Sequence, residues 1–343
     1  MFAAWGTGAI ALLCVLILTP AVGELSRRWK LYDPVGPLKI HDADISRLGG
    51  ASIGIGLAAA IIFGMLATTH TVSIFWLLAF ALIWFSGLVD DIRGLSPFLK
   101  LLAQVGAGLL LWAGGWRVPG HPSNFAGIVA ACAIVVVFVN AFNFLDGSDG
   151  LAAGITAIIG AAFATAYGSS FTSGRIVAYG LVGASLGFLW SNFPPAKIFM
   201  GDSGSTVLGL CVAFVSVDFA GRSATQPDFG RWLFPVLVVA LPLVDGMVVV
   251  LRRLMRGASV LQGDRFHFYD QMLNWGWSPR SVAGVSYAIT SLLAATGLWM
   301  IDASLLAVGI FGVLTAVGLA VGILNRLADG GAIPRAIRER AET

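Results

Sequence analysis

The chain has 343 residues, of which 57% are hydrophobic and 11% are charged, whereas a soluble globular domain carries roughly 25% charged residues. This composition excludes a water-soluble fold, because too little polar surface is available to cover the core. The formal net charge is only +3, so there is no bulk cationic field to recruit a nucleic acid. Three cysteines lie singly in apolar segments and form no zinc, redox or disulfide pattern: Cys14, Cys132 and Cys211.

Apolar segments of about 20 residues, the length that spans a bilayer core, recur along the chain. They predict an all-α polytopic membrane protein with about eleven transmembrane helices, in a single domain over residues 1–325 followed by a basic tail over 326–343. The predicted helices cover residues 3–22, 49–67, 72–90, 99–115, 124–142, 151–168, 175–191, 203–220, 231–251, 282–301 and 304–325.

Basic residues are distributed very unevenly between the two sets of loops that these helices define. One set holds 17 of the 21 lysines and arginines, and the other set holds four: Arg117, Arg175, Arg222 and Arg231. By the positive-inside rule the first set is cytoplasmic, with the N-terminus outside and the C-terminus inside. Both long loops lie in this set, so a functional site is expected on the cytoplasmic face.

Acidic residues share this asymmetry, which the positive-inside rule does not require. Ten aspartates lie in or beside the inner loops: Asp33, Asp42, Asp44, Asp90, Asp91, Asp146, Asp149, Asp202, Asp264 and Asp270. Carboxylates at a membrane boundary lose hydration and repel one another, so clustered ones are protonated unless a cation neutralises them. The pattern suggests a hard divalent cation with oxygen ligands, and magnesium in particular where phosphates share the site.

Asp90 and Asp91 end the third predicted helix. Adjacent residues project about 100° apart on a helix, so the two carboxylates suit different tasks, such as metal ligand and general base. The alternative is a solvated helix end, although acids at a helix C-terminus oppose the macrodipole.

The segment VNAFNFLDGSDGLAAG follows the fifth predicted helix and places Asp146 and Asp149 three residues apart. Its glycines permit close backbone approach to a ligand, and Asn140 and Asn143 lie just before it. The alternative is an ordinary tight turn, because Asp-Gly is a common turn pair.

The segment NFPPAKIFMGDSGSTVLG opens the eighth predicted helix. Asp202 or Ser203 is a candidate N-cap, which is the commonest use of these residues. The same helix end offers backbone N–H groups to a phosphate, and the two uses are compatible. Lys197 either contacts a phosphate or marks the membrane surface.

The loop after the ninth helix contains four arginines, and for each one the favoured interpretation is a topology marker and nothing more: Arg252, Arg253, Arg256 and Arg265. His267 either binds phosphate and orients a substrate, or is structural. Asp245 is the one acid that lies deeper in an apolar segment.

Four stretches of the sequence together resemble the polyprenyl-phosphate N-acetylhexosamine-1-phosphate transferases. They are HDADISRLGG at 41–50, DDIRGLSPFLKLLAQ at 90–104, VNAFNFLDGSDGLAAG at 139–154 and NFPPAKIFMGDSGSTVLG at 192–209. A weaker fifth match runs through Pro242, Asp245, Arg252, Gly257 and His267.

The resemblance implies an enzyme of the bacterial inner membrane that uses magnesium, with manganese as an alternative. It would move a sugar 1-phosphate from a UDP-N-acetylhexosamine to polyprenyl phosphate and release UMP, and a homodimer is compatible with this interpretation. Asp202 matches the metal ligand, and Asp90 and Asp91 match an acidic pair that holds metal or deprotonates the acceptor. Asp146 and Asp149 match nucleotide-site acids, and His267 completes the expected catalytic set. The expected substrate-binding residues are Lys39, Arg47, Lys100, Asn140, Asn143, Lys197 and Arg265.

The last cytoplasmic loop departs from the family pattern, because it has one histidine where the branch that handles a muramyl-pentapeptide nucleotide usually has several. The sequence therefore looks more like the branch that initiates O-antigen or similar glycans, some with 6-deoxy sugars. A cation-coupled transporter is the main alternative, although its ionisable residues would be expected near the bilayer midplane.

Overall fold

In the computed structural model, the described residues are 2–29, 31, 45–68, 70–120, 124–169, 172–222, 229–257, 259 and 266–328. They form thirteen helices and no extended β-strand. The helices are α1 (Phe2–Trp29), α2 (Gly49–Leu66), α3 (Ile74–Arg93), α4 (Pro97–Ala113), α5 (Phe125–Leu145), α6 (Leu151–Ala166), α7 (Ser173–Asn192), α8 (Gly201–Arg222), α9 (Phe229–Val238), α10 (Ala240–Met255), α11 (Phe268–Asn274), α12 (Pro279–Met300) and α13 (Leu305–Ala328).

Seven of these helices are long and apolar enough to cross a membrane, and the count rises to eight if α9 and α10 form one broken span. The described part of the chain is therefore all-helical with several apolar spans, as predicted, whereas the expected total of eleven spans is not confirmed. Helices α4 and α6 are apolar but have only 17 and 16 residues, which is short for a bilayer core.

The ninth predicted helix, expected to be continuous over 231–251, is instead broken at Val239, where α9 and α10 meet at an angle of 65°. Pro242 explains the break, because proline has no N–H to donate to the carbonyl four residues earlier and its ring clashes with that carbonyl. The short helix α11, in the loop that follows α10, was also not predicted.

Several helices begin where the sequence carries a side chain that can cap them. The side chain of Ser96 accepts a hydrogen bond from the Leu99 amide and precedes Pro97 at the first position of α4. Asn124 and Ser278 cap α5 and α12 in the same way. These caps satisfy amides that the helix itself leaves free.

Helix α8 lies at the centre of the bundle, and residues 203–217 are all buried. Its neighbours come close because small residues line the contacts. A Cβ atom added to Gly87 of α3 would lie 2.4 Å from Ser203 Cα, and one added to Gly50 of α2 would lie 2.1 Å from the Gly204 nitrogen. The glycines thus let the end of α3 and the start of α2 meet the start of α8.

The outer surface of the bundle is apolar, with large exposed side chains such as Ile17, Phe85, Trp190 and Leu305. Apolar side chains at this density are expected where a protein faces lipid. The charged motifs lie at helix ends, where the connecting segments meet.

Candidate active site

A cavity of about 940 Å³ lies where α3 and α5 end and where α4, α8 and α11 begin, with α10 along one side. Most of its lining is apolar, but one part is rich in polar groups. The polar and charged residues there include Asp90, Lys100, Gln104, Asn140, Asn143, Asp146, Asp202, Thr206, Arg253 and His267. Residues from distant parts of the sequence therefore surround one space.

Lys100 joins the first and fourth sequence motifs across this cavity. Its Nζ donates hydrogen bonds to Asp90 Oδ2 at 2.8 Å and to Asp202 Oδ2 at 2.6 Å. The other Asp90 oxygen accepts the Leu95 amide at 2.7 Å, which fixes the carboxylate relative to the turn between α3 and α4. One ammonium group thus bridges two carboxylates that would otherwise repel each other.

Asp91 faces away from Lys100 and toward the start of α8. Its Oδ1 accepts the Asp202 amide at 2.8 Å, and its Oδ2 accepts the Ser203 amide at 3.0 Å as well as the Ser203 hydroxyl. The prediction that Asp202 or Ser203 caps this helix from within is therefore wrong. The cap is the Asp91 carboxylate from α3, which can reach the α8 amides because Gly87 allows close packing.

Oxygen atoms of Asp90, Asp91 and Asp202 all lie within 4.8 Å of one another. Three partly buried carboxylates match the oxygen ligands that magnesium prefers, and such ions usually keep several waters and bind substrate phosphates as well. The donor set therefore fits a divalent cation of this kind.

Asp146 ends α5 and lines the cavity. Burial raises its pKa well above the ordinary value, and the nearby carboxylates of Asp202, Asp91 and Asp149 raise it further. A carboxyl group in this setting is readily protonated unless a cation is added.

Asp149 has a different position from Asp146 and does not line the cavity. Its Oδ2 accepts the Ala196 amide at 2.9 Å, and the neighbouring Gly150 amide donates to Asn192 Oδ1 at 3.0 Å. These bonds connect the turn after α5 to the segment before α8. Asp149 thus supports the loop that leads to Asp202.

Both predicted asparagines line the cavity. Asn140 Nδ2 donates to Gln104 Oε1 at 2.7 Å, and Asn143 Nδ2 donates to Ser205 Oγ at 3.3 Å. Gln104 was not predicted as a site residue. The available signal was a single amide side chain among the apolar residues of α4.

His267 also lines the cavity, and it is held by Asp245. Its Nδ1 lies 2.7 Å from Asp245 Oδ2, and the Phe268 amide donates to Asp245 Oδ1 at 2.9 Å. Two further residues of this region, Arg253 and Tyr269, line the cavity and are buried. Neither was expected to belong to the site.

Of the four remaining predicted residues, two belong to the described part of the chain. Lys197 is exposed and Arg47 is half-buried, and neither lines the cavity. Arg47 belongs to a segment that pairs with the residues before α8, through a hydrogen bond from the Phe199 amide to the Ser46 carbonyl at 2.8 Å. Lys39 and Arg265 lie outside the described residues.

Comparison with known proteins identifies a match between residues 73–220 and the family described as glycosyl transferase family 4. This stretch contains Asp90, Asp91, Asp146, Asp149 and Asp202, whereas Asp245 lies outside it.

Similarity to curated proteins extends over most of the chain. The chain is 31% identical to the decaprenyl-phosphate N-acetylglucosaminephosphotransferase of Mycobacterium leprae, over 84% of this chain and 81% of that protein. It is 28% identical to the probable undecaprenyl-phosphate N-acetylglucosaminyl 1-phosphate transferase of Bacillus subtilis, over 86% and 84% of the two chains. It is also 30% identical to the phospho-N-acetylmuramoyl-pentapeptide-transferase of Moorella thermoacetica, over 85% and 96%.

Proposed function

Because the chain belongs to glycosyl transferase family 4 and to its N-acetylglucosamine-type branch, we propose that it transfers N-acetylglucosamine 1-phosphate from UDP-N-acetylglucosamine to a polyprenyl phosphate. UMP is the second product. The reaction would yield a lipid-pyrophosphate-linked sugar, the kind of intermediate that starts the synthesis of cell-envelope glycans.

The observation that carries this proposal is the composition of the cavity. Its charged part combines Asp90, Lys100 and Asp202, which suits phosphates together with a cation. Its apolar part includes Ile83, Val137, Leu243, Met247 and Val250, which suits an isoprenoid chain. A nucleotide sugar and a lipid phosphate can therefore meet in one space.

We assign the metal to Asp202 and to the neighbouring pair Asp90 and Asp91, whose oxygens lie close enough to share one ion. Magnesium is the expected ion, and manganese is the alternative. When bound, it would neutralise the donor pyrophosphate and make its phosphorus more electrophilic.

Lys100 and Asp90 are the residues best placed for the acceptor. Lys100 would hold the lipid phosphate, and Asp90 would orient Lys100 or take a proton from that phosphate. The lipid phosphate oxygen would form a bond to the phosphorus that carries the sugar, while the bond from that phosphorus to the UMP oxygen breaks. Holding both reactants in this geometry removes much of the entropic cost of the reaction.

The donor would occupy the side of the cavity formed by Asn140, Asn143, Asp146 and His267. Asparagine amides and carboxylates can recognise a uracil or the sugar hydroxyl groups by hydrogen bonds. Asp149 would act indirectly, by supporting the loop before α8. Lys39, Arg47, Lys197 and Arg265 remain proposed substrate contacts.

The proposed orientation places this cavity on the cytoplasmic face of the bacterial inner membrane, where a soluble UDP-sugar is available. The N-terminus would be outside and the C-terminus inside, because 17 basic residues lie in the loops assigned to the cytoplasm. In this arrangement, residues 1–325 form one catalytic domain and 326–343 a cytoplasmic tail. The proposed oligomeric state is a homodimer.

The transporter alternative is not supported. The charged residues Asp90, Asp146 and Asp202 lie at helix ends, whereas a transporter places its ionisable residues near the midplane. The named relatives described above are transferases as well.

The proposed function is tested with purified protein, magnesium, undecaprenyl phosphate and a panel of UDP-N-acetylhexosamines, with UMP release as the measurement. We expect release with UDP-N-acetylglucosamine that depends on undecaprenyl phosphate, and a lipid product that carries the sugar. Absence of UMP with every donor, under conditions in which a relative of the family is active, would contradict the proposal.

A further inference from the structure

Asp245 is a buried acid within an apolar helix, in a position that has no direct access to the cavity. It lies on α10, six residues after the bend at Val239, and its side chain is only 6% exposed. A buried carboxylate in an apolar helix is costly unless its oxygens are satisfied. Both oxygens of Asp245 are satisfied by the segment that carries His267.

The first contact fixes one nitrogen of the His267 ring. Asp245 Oδ2 lies 2.7 Å from His267 Nδ1, and an ionised carboxylate can only accept a hydrogen bond. We therefore assign the proton to Nδ1. The second contact, from the Phe268 amide to Asp245 Oδ1 at 2.9 Å, fixes the start of α11 beneath the ring.

Aromatic side chains fix the faces of the same ring. Tyr269 is parallel to it, with an interplanar angle of 2° and a centroid distance of 5.2 Å, and Phe144 is tilted against it at 5.4 Å. Tyr269 is itself anchored, because its hydroxyl donates to the Phe144 carbonyl at 2.9 Å and a Cβ on Gly147 would lie 1.9 Å from that hydroxyl.

With Nδ1 bound to Asp245 and the ring packed against Tyr269 and Phe144, Nε2 is the remaining polar atom of an imidazole that lines the cavity. We propose that Asp245 is a positioning residue, which sets the tautomer and the direction of His267 so that Nε2 meets the donor substrate. This inference rests on the proposed function, because it assigns to His267 a contact with the donor. It also gives a reason for the presence of an acid within an apolar helix.

The decisive substitution is Asp245→Asn. Its Oδ1 can still accept the Phe268 amide, so α11 keeps its start. Its NH2 group, however, faces Nδ1 and forces the proton onto Nε2, which is the opposite tautomer. We expect kcat/KM for UDP-N-acetylglucosamine to fall by about tenfold to a hundredfold, the range for loss of a hydrogen bond to a charged group.

A double-mutant cycle with His267→Ala separates positioning from a general structural effect. If Asp245 acts through His267, the double variant should be no slower than His267→Ala alone. Asp270→Asn is the matched control, since the Asp270 carboxylate accepts the backbone amide of His267 at 3.2 Å and an asparagine oxygen can keep that bond. It should alter thermal stability more than kcat/KM.

Wild-type rates for Asp245→Asn, or losses that multiply in the double variant, would overturn the inference. If Asp245→Asn does not fold, Tyr269→Leu tests whether the orientation of His267 matters, because it removes the aromatic ring that packs parallel to the imidazole. Its loss should also vanish in the His267→Ala background, and multiplying losses would again overturn the inference. A wild-type enzyme that releases no UMP would instead contradict the proposed function.

Discussion

The carboxylate of Asp91 in α3 accepts hydrogen bonds from both the backbone amide and the hydroxyl of Ser203 in α8. These bonds fix the start of α8, and with it the position of Asp202. Asp91 therefore has a structural task that its neighbour Asp90 does not share. The different roles of Asp91 and Asp90 can be distinguished by measuring the stability and the activity of variants at each position.

We expect Asp91→Ala to lower the free energy of unfolding by about 0.5 to 2 kcal/mol, the usual effect of losing a helix cap, and also to lower activity by displacing Asp202. Asp90→Asn keeps an oxygen for the Leu95 amide, so it should reduce turnover with a smaller effect on stability. Thermal unfolding in detergent and UMP release check both. Equal losses of stability in the two variants would contradict these different roles.

Lys100 occupies the position between two proposed metal ligands, so it should compete electrostatically with the cation. Two unit charges 4 Å apart interact by about 4 kcal/mol at an effective dielectric constant of 20, and partial exposure of Lys100 reduces this. We expect Lys100→Met to bind magnesium about tenfold more tightly while turning over more slowly. Calorimetric titration with magnesium checks the affinity. The exposed Arg93→Met is the control and should leave the affinity unchanged.

Metal removal should abolish activity. Substitutions of Asp202 and Asp149 should differ in how strongly they change the dependence of activity on magnesium. EDTA should stop UMP release, and magnesium or manganese should restore it, because the clustered carboxylates need a cation. Asp202→Asn should raise the magnesium concentration needed for half-maximal rate more than Asp149→Asn, since Asp149 binds the Ala196 amide outside the cavity. Full activity in chelator would exclude the proposed chemistry.

The raised pKa of Asp146 makes stability without metal depend on pH. An acid whose folded pKa exceeds its unfolded value, about 3.9, favours folding below that value, and this contribution is lost as pH rises through the folded pKa. Metal-free protein should therefore lose stability as pH rises from about 3.9 through the folded pKa of Asp146. The Asp146→Asn variant should lose less stability over the same pH range. Magnesium favours the ionised form, so its affinity should rise with pH.

Thermal unfolding in EDTA across a pH series checks this expectation. The wild-type protein, measured in the same pH series, is the reference. An unchanged slope in Asp146→Asn would show that another group is responsible.

The convergence of Asp90, Lys100, Asp146 and Asp202 follows from the order of the motifs, because alternating helices place all of them at the same end of the bundle. The capping role of Asp91 does not follow from the order of the motifs, because it depends on how closely Gly87 lets α3 approach α8. Sequence periodicity contains no information on that distance.

The missed residues Arg253 and Tyr269 reach the cavity because the chain bends between α9 and α10 and then enters α11. Pro242 could have predicted the bend, since proline breaks a helix near the preceding turn. The direction of the bend depends on packing against α5 and α12. For this reason the sequence identified the aspartate motifs more completely than the opposite wall of the cavity.

The last prediction concerns orientation in the membrane. Ser259 follows α10 and Ser169 follows α6, and both are exposed. In a background without Cys14, Cys132 and Cys211, a cysteine at 259 should be protected from an impermeant thiol reagent in intact cells, and a cysteine at 169 should be labelled. Permeabilised cells should label both, which controls for accessibility. The reverse pattern in intact cells would place the cavity on the outer face of the membrane. A cytoplasmic UDP-sugar could not reach Asp202 there, so the proposed entry of the donor from the cytoplasm would be excluded.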